Sequence, residues 1–120
     1  MCCRSTLVLL FAINLPLSTY LLHSHTPIFT STLKAKTTDY VLFKLDIDSK
    51  EVEAAIVDYL LSDTNDDLDY IDEFLWEHHV DNYLMSTSWL QTMDMSKSIA
   101  DSYEYFLRLR QRGVRAHSWV

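Results

Sequence analysis

Apolar and polar positions divide the chain into blocks of different period. Val41 to Asp48, reading Val-Leu-Phe-Lys-Leu-Asp-Ile-Asp, is a nearly continuous apolar run that ends in carboxylates and predicts a buried strand. Asp48 with Glu51 three residues on predicts a capped helix start, and Val52, Ala55, Ile56, Tyr59 and Leu60 then recur at helical spacing until Ser62. Residues 63–67 are polar and break the period. Ile71 to Val80 predicts a second strand, with Phe74, Trp76 and His78 on one face and Leu75, Glu77 and His79 on the other. A looser stretch, Asp81 to Met93, follows. From Ser96 to Arg112 the period returns to 3.6, assigning Ile99, Tyr103, Phe106, Leu107 and Arg110 to one face, with Gly113 as the stop. Val114 to Val120 predicts a third strand.

Strand, helix, strand, helix, strand is the order of crossovers over a parallel sheet, so the fold class is α/β, a β-α-β-α-β body with parallel strands. In such sheets ligands sit beyond the carboxyl ends of the strands. Those ends carry Asp46 and Asp48, then Glu77, His78 and His79, then His117 and Ser118. Three parallel strands with two helices leave edges and apolar surface uncovered, which predicts an oligomer or a further N-terminal half.

The block before residue 39 differs. Ser5 to Leu22 holds eighteen residues without a charge, preceded by Arg4, and has the form of a signal peptide or signal anchor. Asn14 and Pro16 interrupt it, and His23-Ser24-His25-Thr26-Pro27 offers no small-x-small cleavage site, so a non-native leader or the stump of a larger domain is the competing reading. The organisation expected is 1–22 as targeting segment, 23–38 as connector and 39–120 as the α/β body. It places the protein in the secretory pathway or at a membrane through residues 5–22, with a cytoplasmic location as the alternative. Cys2 and Cys3 are adjacent and cannot staple the body, though beside such a segment they are candidates for palmitoylation.

Charge sharpens that boundary. All seventeen acids lie from Asp39 onward, whereas residues 1–38 carry only Arg4, Lys34 and Lys36. The net charge of −7 provides no field for collecting phosphates, which excludes a general nucleic-acid binder. The single glycine, Gly113, excludes a nucleotide loop built on spaced glycines. With 48% hydrophobic residues and 12% aromatic, the chain is too apolar for intrinsic disorder.

Asp46 and Asp48, two apart on a strand, share a face and could contact a substrate hydroxyl or a divalent metal. The plainer readings are that Asp46 pairs with Lys44 or a neighbouring backbone amide and that Asp48 is the helix N-cap. Glu77 and His79, in phase with each other, are a carboxylate and an imidazole of the kind that zinc, iron or manganese accepts, His79 being the candidate metal ligand. A hydrogen-bonded histidine at a sheet edge is the plainer account. Tyr103, Phe106 and Leu107 read as core. The acidic run from Asp63 to Asp69 lacks the central glycine and terminal glutamate of a calcium loop and reads as a solvated connection. Arg108, Arg110, Arg112 and Arg115 gather at a helix C-terminus, where the macrodipole favours them.

The segment Phe43-Lys44-Leu45-Asp46-Ile47-Asp48-Ser49-Lys50-Glu51 resembles a motif of FkbM-type S-adenosylmethionine-dependent methyltransferases, V-K-x-D-x-E-G-x-E. Lys44, Asp46 and Glu51 match, Asp48 stands where the family has glutamate, and Ser49 replaces the motif glycine. Glu77-His78-His79 resembles the acidic end of the next strand. The likeness runs over about residues 39–120 and extends to algal and oomycete proteins that share the pattern. It implies a partial Rossmann-like, three-layer methyltransferase domain, S-adenosylmethionine as cofactor and a small-molecule oxygen acceptor, with Asp46, Asp48 and Glu77 as catalytic candidates. The family's cofactor site rests on a first strand and glycine-rich turn that this chain lacks, which implies no activity and no cofactor binding by the chain alone.

Overall fold

The structure, a computed structural model, describes residues 7–11, 36, 38–64, 66–81 and 93–119. Most of the targeting segment, nearly all of the connector and most of the stretch between Asp81 and Met93 lie outside them. The elements are β1 (Leu7–Phe11), β2 (Tyr40–Leu45), α1 (Lys50–Leu60), a 3-10 turn (Asp67–Tyr70), β3 (Glu73–Trp76), α2 (Ile99–Gln111) and β4 (Arg115–Ser118). The strands form one sheet in the order β1-β2-β3-β4, with every neighbouring pair parallel. The α/β body with parallel strands is as expected. The sheet gains a fourth member where Leu7–Phe11, within the apolar stretch, pairs with Tyr40–Lys44.

Register puts Val41, Phe43 and Leu45 of β2, Phe74 and Trp76 of β3 and Ala116 of β4 on one face, all buried. Both helices pack there. Trp76 donates its indole N–H to Glu53 of α1 at 3.0 Å, and its ring lies 5.9 Å from that of Phe106 of α2. The cause is topological: the strand order never reverses, so successive crossovers of the same hand land on the same side. Among the described residues the result is two layers, whereas the three-layer sandwich implied by the resemblance needs a reversal. The opposite face carries Tyr40, Leu42, Lys44, Glu73, Leu75, Arg115 and His117, none fully buried. There the Tyr40 hydroxyl donates to Glu73 and accepts from Arg115, joining three strands.

In α1 the buried side is Val52, Glu53, Ile56, Val57 and Leu60, whereas Ala55 and Tyr59 are half-buried. The helix N-cap is Ser49, not Asp48, and its side chain makes no cap bond. In α2 the buried residues are Phe106 and Leu109, and the stripe containing Ile99, Tyr103 and Leu107 faces solvent. The core assigned to Tyr103 and Leu107 is thus corrected by a rotation of the helix about its axis. The cause is visible at Leu109, which is fully buried three residues after Phe106 and fixes the phase. A reciprocal capping box between Ser98 and Asp101 starts α2.

The helix ends as predicted at Gly113, whose φ of 93° lies in the region that glycine enters at least cost. Its N–H bonds Arg110 O at 3.0 Å and the Val114 N–H bonds Leu109 O at 3.2 Å, the paired pattern of a Schellman stop. Asp67, read as solvated, is instead buried and accepts the Tyr59 hydroxyl at 2.6 Å. Among the described residues no helix is long and apolar enough to cross a membrane.

Candidate functional site

β2 and β3 run parallel and finish side by side, so the residues just beyond them gather at one end of the sheet. β2 stops at Leu45, three residues short of the predicted end. The turn that follows holds Asp48 at φ 53°, a left-handed conformation that only a few non-glycine residues tolerate. This takes Asp48 out of strand phase, and the expected shared face with Asp46 does not form. Asp46 instead pairs with Lys44, Oδ2 to Nζ 2.8 Å, as the plainer reading had it. Lys44 Nζ also lies 4.5 Å above the Trp119 ring.

Asp48 turns toward His79. The imidazole is buried, with Nδ1 3.9 Å from Asp48 Oδ1 and Nε2 3.2 Å from Glu77 Oε1. Asp48 is exposed and Glu77 half-buried, so a carboxylate reaching into solvent and one set deeper stand at opposite ring nitrogens. Glu77 is the nearer of the two, and Asp48 stands beyond hydrogen-bond distance of the ring. Among the described residues no group of three or more His, Cys, Asp or Glu side chains could hold a metal.

Glu53, which the sequence reading passed over, is the buried carboxylate of this region. Its Oε1 accepts the Ile47 N–H at 3.1 Å and its Oε2 the Trp76 indole N–H at 3.0 Å. Burial raises its pKa above the ordinary glutamate range, against the two hydrogen bonds and the nearby His79, which act to lower it. The first bond holds the start of the turn that carries Asp48, and the second ties that turn to the aromatic core. Spacing could have found it: Glu53 stands in phase with Ile56, Val57 and Leu60 on the buried side of α1.

His78 goes the other way. Its ring stacks on Trp76 with centroids 3.9 Å apart, and Nδ1 lies 3.0 Å from Ser102 Oγ. Burial holds its pKa down at about 4, so the ring is neutral near pH 7. The expectation that Trp76 and His78 share a face, with His79 on Glu77's side, is what the structure shows. The site that assembles is therefore Asp48, His79 and Glu77, braced by Glu53, with Asp46 drawn aside by Lys44.

Comparison of the chain with family models, with characterised proteins and with solved structures finds no match.

Proposed function

We propose that this end of the sheet is the acceptor side of a methyltransferase-like domain of the FkbM type, in which Asp48, His79 and Glu77 hold an oxygen acceptor and take its proton. The observation that carries the reading is the buried His79 ring with a carboxylate at each nitrogen, 3.9 Å and 3.2 Å away, beyond the ends of adjoining parallel strands. Supporting it are the Lys44-x-Asp46-x-Asp48-x-x-Glu51 spacing and its placement on a strand end, a left-handed turn and a helix start. Deprotonation of a hydroxyl as it attacks an electrophilic carbon is general base catalysis, for which an oriented imidazole is suited. S-adenosylmethionine does not fit the described residues, because the only glycine closes α2 and no glycine-rich turn approaches the site. No step is therefore drawn through it.

The test follows the His79 ring by NMR while the 120-residue chain is titrated with small polyols and hydroxy acids. A saturable shift of the His79 ring signals that Asp48→Asn abolishes supports the reading. No response from any member of the panel, or a response indifferent to Asp48→Asn, overturns it. Calorimetric titration with S-adenosylmethionine is expected to show no binding, and micromolar affinity would overturn the assignment of this chain to the acceptor side alone.

A further inference from the structure

The outer side of α2 is unlike the surface of a helix facing only water. Met95, Ile99, Tyr103 and Leu107 follow one another at intervals of four residues and are 54%, 45%, 71% and 54% exposed. The last three form an i, i+4, i+8 ridge, roughly 12 Å long at helical rise. The helix keeps its core contacts elsewhere, through Phe106 and Leu109. Beside the ridge run Glu104 and Arg108, each one position on from a ridge residue and both exposed. Arg110, on the other flank, is occupied: Nε and Nη2 donate to Ala116 O at 2.9 Å and 2.7 Å.

Charge along α2 is ordered as well. Acids stand toward its beginning at Asp101 and Glu104, and Arg108, Arg110 and Arg112 toward its end. An antiparallel copy of the same helix reverses that order and so presents arginine where this one presents carboxylate. We infer that the Ile99–Tyr103–Leu107 ridge of α2 is a homodimer interface, covered by α2 of a second copy of this chain lying antiparallel across a two-fold axis. With the axis near residue 105, Tyr103 meets Leu107 of the second copy and Glu104 lies beside Arg108 of the second copy, each contact made twice, while Ile99 lies at the rim opposite Gln111. The surface is self-complementary, as a closed two-fold contact requires, and the helix dipoles oppose one another. A two-fold pairing also covers apolar area that a monomer rarely exposes as one continuous strip. One helix face buries less than stable interfaces do, so association is weak and is seen at high micromolar concentration.

Sedimentation equilibrium of the 120-residue chain over a range of concentrations, with circular dichroism to confirm unchanged helix content, reads this directly. The expected result is a monomer–dimer equilibrium that Leu107→Glu abolishes. Arg108→Glu sets like charges beside each other twice and is expected to weaken the dimer about five- to tenfold. Glu104→Arg combined with Arg108→Glu restores opposite charges in both copies and is expected to recover affinity to within about threefold of the original. A chain that stays monomeric at millimolar concentration overturns the inference. So does a dimer that survives Leu107→Glu, or one that Arg108→Glu leaves unweakened or the double reversal leaves unrestored, since that association would be a different face or undirected apolar contact.

Discussion

Replacing Glu53 by glutamine removes its charge at almost constant shape, and the structure sets the size of the effect. The carboxylate accepts two N–H groups, one on each oxygen, at 3.1 Å from Ile47 and 3.0 Å from Trp76. A glutamine has one acceptor oxygen, so its amide N–H₂ must face one of those donors, leaving a buried donor unmet at a cost of about 1–3 kcal/mol. Relief of the buried charge opposes this. Because Glu53 has its pKa raised, the folded protein holds the proton more tightly than the unfolded chain does. The corresponding stability is complete below the unfolded value and is lost as pH rises through the folded one. Glu53→Gln has no such titration.

Near the ordinary glutamate pKa the folded Glu53 is protonated, and its two oxygens still face the two N–H donors where glutamine must turn its N–H₂ to one of them, so wild type should exceed the variant by about 1–3 kcal/mol there, and the gap should narrow as pH rises. Urea unfolding followed by tryptophan fluorescence at a series of pH values measures both quantities. A variant as stable as wild type at every pH, or a gap that widens with pH, would refute the view of Glu53 as a buried brace whose ionisation is resisted by burial.

Asp48 at φ 53° should tolerate glycine with little change in thermal stability, whereas Asp48→Val should lose about 1–2 kcal/mol; equal stability of the two would contradict the left-handed turn. Ser98→Ala removes the capping box of α2 and should cost about 0.5–2 kcal/mol by chemical denaturation, with a smaller loss when Asp101 alone becomes Asn. His78 is held at about 4, below its unfolded value, so its contribution to stability is present above the ordinary histidine range and is lost as pH falls toward 4. His78→Phe keeps a ring on Trp76 and should flatten that part of the stability profile, and an unchanged slope would show that His78 is not the titrating group.

Periodicity sufficed where one physical requirement dominated. The β2 run had no place but a core, and Gly113 after a helical stripe had no better use than the positive φ it adopts. It failed where two solutions shared one pattern. In α2 two stripes of comparable apolarity compete. The one that tertiary packing selected contains Phe106 and Leu109, while the more aliphatic-looking one lies outside. At the site, Glu77 and His79 were legible because strand phase persists past Trp76. Asp48 was misplaced because a strand was assumed to continue through it. The charge of Glu53 gives no sign of burial, and only its spacing with Ile56, Val57 and Leu60 marks it as belonging to the buried side.

Trp76 explains why the sheet end and the core cannot be treated as separate. Its ring is 1% exposed and meets Phe74, Phe106 and Tyr105 at centroid distances of 6.4, 5.9 and 5.7 Å. The same indole gives its N–H to Glu53 and its face to His78. Through Glu53 it fixes Ile47 and the turn bearing Asp48. Through His78 it orients the backbone from which His79 projects to the opposite side. The Asp48 to His79 approach thus depends on two arms of one buried side chain, which converts dense packing into placement of polar groups. Charges at the sheet end are carried by short loops, but those loops are anchored to the largest fully buried side chain among the described residues.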